Sequence, residues 1–366
     1  GAPAVTVNSG SKISDGLLFA SATGTSATTT VTVNTGTFNE AVSVDKSLKL
    51  LGVSTPIMEL TSGSSNNVMV AITVNDVIVD GFRINVNKPY ANAGIYARKS
   101  GASIDDIVVQ NCTLQANGDN TSGLPFNPVS LGATGSAAVA VINDAGAPFG
   151  ETTVKNTDVI VGSFGIYPMT FGRGVWLHQM NSTVGGPNPA DGNDLVANTQ
   201  DLWLKTTGSS SVQNNIFRGQ GIDISGPAAS AVISVEDNLF QPYSGGKPYV
   251  DASLVIKNNM GGSTVLVDGN TFRDHRVAII SGRSKDVTIS NNTFTPAGYS
   301  AAPGADTLFS HIRFDTWYPS TGATSPYADN GVVVQGNTFN GAPYAKGAAF
   351  DAYNVATGSG WGTVTL

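Results

Sequence analysis

Residues Ser211–Phe217 read SVQNNIF, and the same phrase returns as SVEDNLF at Ser234–Phe240, VLVDGNTF at Val265–Phe272, VTISNNTF at Val287–Phe294 and VVVQGNTF at Val332–Phe339. An earlier variant, IVVQNCTL, occupies Ile107–Leu114. Each copy opens on alternating β-branched residues, passes through Asn, Asp or Gly, then Asn, and closes on a large apolar side chain. Phe217 to Phe240 is 23 residues and Phe272 to Phe294 is 22, while Phe294 to Phe339 is 45, near twice the unit. Self-similarity at about 22 residues with a short strand per unit is the mark of a parallel β-helix, whose coils stack about 4.8 Å apart. Alternating Val and Ile point inward and stack on their equivalents in neighbouring coils. Asn accepts the left-handed backbone of a tight corner, and its amide can bond to the Asn one coil away. The competing reading, a β-sandwich with Asn-rich turns, also gives short alternating strands but does not repeat one phrase at a constant interval. The doubled interval is read as two coils, with Phe314 of HIRFD marking the one between.

Composition agrees with stacked β structure. Of 366 residues only 19 are basic and 26 acidic, or 12% charged, against roughly 25% in an average soluble domain. Helical bundles and coiled coils need periodic Glu, Lys, Arg and Leu, which are scarce here. No apolar run approaches the ~18 residues of a membrane span, so no membrane insertion is expected. Abundant Val, Ile and Phe exclude a disordered chain. A net charge of −7 argues against nucleic acid as a partner. The single cysteine, Cys112, rules out an internal disulfide and any multi-cysteine metal site; it takes an Asn position of the repeat and is expected to stack inside.

Near the start, GTFNEAVSV followed by LKLLG resembles the first coils of pectin methylesterases and related repeat proteins, and the NNTF phrases resemble the repeat of the pectate-lyase-like right-handed β-helix superfamily. The resemblance runs from about residue 13 to about residue 340 and implies an all-β, single-domain right-handed parallel β-helix over 1–366. Residues 13–25 are expected to cap the first coil, with Leu17, Leu18 and Phe19 as its apolar stretch. Segments 118–138, 181–199, 241–250, 295–309 and 318–330, most of them rich in Gly, Pro, Ser and Asn, are expected to be loop excursions. The fold hosts many activities, so it does not by itself assign one.

Motifs of the enzymes on this fold are missing. The QDTL and DFIFG segments of pectin methylesterases are absent, as are the alginate-epimerase DPHD and glycine-rich calcium nonapeptides. Of the polygalacturonase set only Asn156-Thr157-Asp158 occurs, a tripeptide of little weight in an Asn-rich chain. No cofactor is expected, and calcium, though compatible with such a protein, is not indicated.

A uronate lyase asks for less: a base, and a cation to neutralise the sugar carboxylate. Arg273, Asp274, His275 and Arg276 follow Phe272, and His311, Arg313, Asp315 and Trp317 alternate with Ile312 and Phe314. On a strand that spacing puts the polar set on one face, about 10 Å from the first cluster if two rungs intervene. His275 or His311 is the candidate base and Arg276, Arg313 and Asp315 complete the candidate catalytic set. Trp317, Tyr318, Arg273, Trp203 and Lys205 are candidate carbohydrate contacts, Trp203 and Lys205 alternating in DLWLK. The bland reading of all these is solvated strand and turn residues pairing among themselves. His178, among apolar neighbours in GVWLHQ, reads as a structural residue.

Two functions follow as expectations. The first is a secreted or cell-surface β-helix with a structural, self-assembling or adhesive role, contacting a polysaccharide or cell-surface glycan and self-associating through coil ends such as the closing strand WGTVTL. The alternative is a polysaccharide lyase or hydrolase acting on an acidic polysaccharide.

Overall fold

The computed structural model describes residues 4–63, 67–87, 90–117, 136–145, 148–164, 167–169, 171–243, 250–257, 262–282, 284–295, 310–315, 330–340, 348–353 and 364–365. Three parallel sheets wind around one interior. Among the described residues they hold 13, 11 and 11 strands. From Thr30 to Tyr353 the described strands visit them in the same order, as in Ser210–Gln213 of the first sheet, Ile216–Phe217 of the second and Ile222–Ser225 of the third. The chain is thus a parallel β-helix, as its repeat requires.

The repeated Asn-Asn pair divides two tasks. At the corner between the first and second sheets, Asn111, Asn156, Asn214, Asp237 and Asn291 adopt positive φ, near 44° to 58°, with Gly269 and Gly336 at the same place in their coils. The residue after each turns inward. Asn193 Nδ2 donates to Asn215 Oδ1 at 2.7 Å, Asn215 to Asn238 at 2.9 Å, and Asn238, Asn270 and Asn292 each to the next Asn, ending at Asn337, at 3.0 Å. The backbone N–H groups of Asn215, Asn238, Asn270 and Asn292 donate to the next Oδ1 as well, so each amide satisfies groups in two coils. Cys112 occupies this inner position in its own coil, and burial pushes its thiol up to about 12, which leaves it an inert small apolar group.

Two residues further on, the closing aromatics form a stack through the interior. Phe217, Phe240, Phe272, Phe294 and Phe339 follow one another with ring centroids 4.6–5.0 Å apart. Leu114, Val159 and Leu195 continue the row in earlier coils.

The stack corrects one expectation. Phe294 and Phe339 are direct register partners, so the 45-residue interval is one coil rather than two. Phe314 belongs to the third sheet, paired with Ser281 and Ala352. A second correction concerns 181–199, most of which is built into the coils: Met180–Gly185, Asp194–Leu195 and Ala197–Lys205 are strands of the first, second and third sheets. Residues 118–135, 244–249, 296–309 and 318–329 of the other expected excursions lie outside the described residues.

The first coil is closed by the helix Ile13–Phe19. Ile13, Gly16 and Leu17 face the interior, and a Cβ on Gly16 would meet Val7 Cγ2 at 2.4 Å, so only glycine lets the helix lie this close. The Glu40 carboxylate accepts the N–H groups of Ile13 and Ser14, and Lys46 Nζ donates to the carbonyls of Leu17, Leu18 and Ala20. Both helix ends are thereby satisfied from a neighbouring coil. Leu18 and Phe19, expected to cap with Leu17, instead point to solvent.

Candidate functional site

The third sheet has an outer face on which one register row runs Tyr96, Ala140, Trp176, Trp203, Asp223. A second row, two residues along each strand, runs Arg98, Ile142, His178, Lys205, Ser225, Lys257. Inward residues between them, such as Leu177, Leu204 and Ile224, are fully buried in the main core. Trp176, Ala137, Ala140 and Ile142 form a separate apolar cluster, with Tyr96 and Trp203 packed against it. Trp176 is only 3% exposed although it lies outside the main core.

Cations gather around this cluster. The Arg173 guanidinium carbon is 4.2 Å from the Trp203 ring centroid and 5.6 Å from that of Trp176, and Lys205 Nζ is 5.1 Å from Trp203. The two indoles stack on each other at 5.4 Å. Trp203 Nε1 reaches Ser225 Oγ at 3.4 Å, Ser225 donates to Asp223, and Asp223 holds Lys257 at 2.6 Å. Arg98 is paired with Asp144 at 2.8 Å. Around this cluster Arg98, Arg173, Lys205 and Lys257 therefore outnumber Asp144 and Asp223 by two, although the whole chain is at −7. Burial lowers the Arg173 pKa from its ordinary value, with Asp223 acting in the other direction. Three enclosed polar atoms here make no hydrogen bond: Arg173 Nε, Trp176 Nε1 and, on the register partner of Arg173, Gln200 Oε1. Such atoms carry a desolvation cost unless something satisfies them.

His178 lies between these cations. Its Nδ1 is 3.1 Å from the carbonyl oxygen of Lys205. A carbonyl only accepts, so Nδ1 carries the proton and, in the neutral ring, Nε2 keeps a bare lone pair. Half-burial is the main cause that lowers the His178 pKa; the Lys205 charge adds to it, and the carbonyl bond and Asp144 oppose it. The ring is neutral at pH 7 and competent to take a proton.

The strand that carries Trp203 and Lys205 is pinned from inside. The Asp201 carboxylate accepts the N–H groups of Ala197 at 2.6 Å, Gly219 at 2.7 Å and Gly221 at 3.0 Å, fixing the corner that leads to the next rung. Burial pushes Asp201 up to about 8, against the pull of these three donors.

The expected catalytic set is placed differently. His275 and His311 lie on adjacent rungs, not two apart, and both are buried. His311 sits 5.4 Å from the Phe294 ring and 5.3 Å from that of Phe339, and His275 stands edge-on to Phe294 at 6.3 Å. The expected alternation fails because His311 and Ile312 both turn inward where the strand leaves its corner. Two imidazoles enclosed beside the phenylalanine stack cannot meet a polymer. Arg313 is nearly buried and shares the row of Trp203 and Asp223, three rungs beyond Asp223, about 14 Å away. Asp315 ends the same strand, Arg276 is half-buried beside His275, and Arg273 is exposed at the end of a second-sheet strand. Trp317 and Tyr318 lie outside the described residues. Trp203 and Lys205 share the outer face with Arg173, Trp176 and His178. Those three were not read as site residues, because the register joining Arg173 to Gln200 and Trp176 to Trp203 crosses rungs of unequal length. Among the described residues no group of three or more His, Cys, Asp and Glu is placed to hold a metal ion.

No protein-family model matches the chain, and no curated protein sequence does. Among solved structures it is similar to an alginate lyase from Paenibacillus sp. str. FPU-7, with a TM-score of 0.40 and 12% identity over 92% of each chain. It is also similar to a mannuronic acid specific polysaccharide family 6 lyase enzyme from human gut microbiota, with a TM-score of 0.39 and 11% identity over 90% of this chain and 82% of that one. The β-helix rests on the pairing of the three sheets.

Proposed function

We propose that the chain cleaves an acidic polysaccharide by β-elimination on the outer face of the third sheet. The observation that carries this reading is His178, neutral, anchored through Nδ1 and with Nε2 bare, on the rung next to Lys205 and the same strand as Arg173. A uronate has one acidic carbon–hydrogen bond, next to its carboxylate. In this reading Arg173 and Lys205 neutralise the carboxylate, which makes that proton easier to remove. His178 Nε2 takes the proton, the electron pair forms the carbon–carbon double bond, and the glycosidic carbon–oxygen bond on the adjacent carbon breaks. The departing oxygen takes its proton from water. The partly exposed Trp203 and the hydroxyl of Ser225 border the place where the sugar lies.

The test is incubation of the whole chain with a panel of uronic-acid polymers. Appearance of unsaturated, ultraviolet-absorbing ends supports the reading, and their loss in His178→Gln locates it. Tight binding with no product from any of them would instead leave the adhesive role, with the same face as the contact.

A further inference from the structure

Away from that face, His275 and His311 remain as the other two of the chain's three histidines. His275 Nε2 and His311 Nδ1 are 2.9 Å apart, linking the strand His275–Gly282 to the strand Ser310–Asp315 inside the solenoid. One proton lies between the two nitrogens: one ring gives its N–H and the other its lone pair. The second nitrogen of His275, Nδ1, is enclosed and makes no hydrogen bond. A bare lone pair tolerates that better than a buried N–H, which places the shared proton on His275 Nε2. A further proton on His275 would fall on enclosed Nδ1, beside an aromatic stack and without a partner.

Burial and His311 are the causes that act on His275, and charged residues also stand on the surrounding strands. Arg273 and Asp274 precede His275 and Arg276 follows it; Arg313 is on the second strand, and Lys257, one rung back, is held by Asp223. Asp251, Asp315 and Asp351 also belong to these strands. The strands Thr293–Thr295 and Thr338–Phe339, whose phenylalanines touch the pair, carry no titratable group.

We propose that the His275–His311 contact is an acid-labile clasp, closed while His275 is neutral and opened when a further proton has to be housed on its enclosed Nδ1, so that acid loosens the strands His275–Gly282 and Ser310–Asp315 before the rest of the solenoid. Burial, with a smaller contribution from His311, lowers His275 from 6.5 to about 3. Its folded-state value is depressed, so the stability it contributes is complete above about 6.5 and is lost progressively as pH falls from there toward about 3. One proton taken up on opening corresponds to a tenfold change in the opening equilibrium per pH unit across that window.

Hydrogen–deuterium exchange of the whole chain, corrected for intrinsic rates, tests this between pH 7.5 and 4.5. Amides of 275–282 and 310–315 are expected to lose protection by close to tenfold per pH unit below about 6.5, while those of 210–240, which hold no histidine, keep theirs. The double variant His275→Phe/His311→Leu is expected to abolish the local acid response. An equal acid response in the double variant, or uniform loss along the wild-type solenoid, overturns the proposal. Should the double variant not fold, nuclear magnetic resonance titration of wild-type imidazoles decides it: rings that stay neutral in the folded chain well below pH 6 support the clasp, and rings that protonate there near 6.5 without local opening refute it.

Discussion

The His178 ring and the backbone of Lys205 are joined across one rung: Nδ1 donates to the Lys205 carbonyl at 3.1 Å, and the N–H of Gln179 donates to the same oxygen at 3.1 Å. The ring is held by the sheet itself rather than by another mobile side chain. His178→Gln removes the base and leaves the cations in place. Product formation is expected to fall by roughly 10²–10⁴-fold with binding retained, as measured by steady-state rates and calorimetric titration. The base works only when neutral, and its pKa lies below the ordinary histidine value. The rate is therefore expected to hold steady from neutral pH down past 6.5 and to fall only in more acidic buffer; a profile that breaks at or above 6.5 contradicts the role.

Arg173 supplies both a charge and a flat surface stacked on Trp203. Arg173→Lys keeps the charge but gives up the planar fork and the stacking. A loss of about 1–3 kcal/mol in affinity for a uronic-acid polymer is expected, against little change for a neutral polymer of similar length. Equal losses on both polymers would show that the residue only shapes the face.

How far the sequence carried the reading depended on which corner of the coil was involved. In the coils that carry the repeated phrase two residues turn the corner between the first and second sheets, so Asn214-Asn215, Asp237-Asn238 and Asn291-Asn292 recur in phase and mark their coils directly. The passage from the second sheet to the third varies: four residues separate Phe217 from Ile222, whereas 14 residues, 296–309, intervene before Ser310. Together with the 14 residues, 316–329, between Asp315 and the next first-sheet strand, that variation made the interval from Phe294 to Phe339 look like two coils. It also hid which residues of the third sheet are neighbours. Trp176 and Trp203 stack although they are 27 positions apart, and no local pattern joins them. Strict alternation then put His311 outside, because it takes no account of the bend that sends His311 and Ile312 inward together.

The phenylalanine stack has a calculable weight. Phe272 lies between Phe240 and Phe294 at 4.6 and 5.0 Å and is fully buried. Phe272→Ala leaves a cavity that neighbouring coils cannot close, because their backbones are fixed by sheet pairing on three sides. A loss of about 3–5 kcal/mol is expected, and Phe272→Leu should cost clearly less. Urea unfolding with the midpoint and slope fitted separately distinguishes lost stability from a changed transition.

Asn238 is the clearest test of the amide ladder. Its Nδ2 donates to Val212 O and Glu236 O at 2.9 Å and to Asn270 Oδ1 at 3.0 Å; its Oδ1 accepts from Asn215 Nδ2 and from the Asn215 backbone N–H, both at 2.9 Å. Asn238→Ala strands donors and acceptors in two neighbouring coils at a buried site. Each stranded group costs about 1–3 kcal/mol, so a total of several kcal/mol is expected. Asn238→Asp keeps the shape and the accepted bonds but removes the donors and sets a carboxylate against the Asn270 oxygen and two backbone carbonyls. That variant should regain stability as pH falls and the carboxyl protonates, which the Ala variant cannot do. Thermal unfolding of both across pH 4–7 separates the two causes: if they respond alike to acid, the ladder's hydrogen bonds are not what Asn238 contributes.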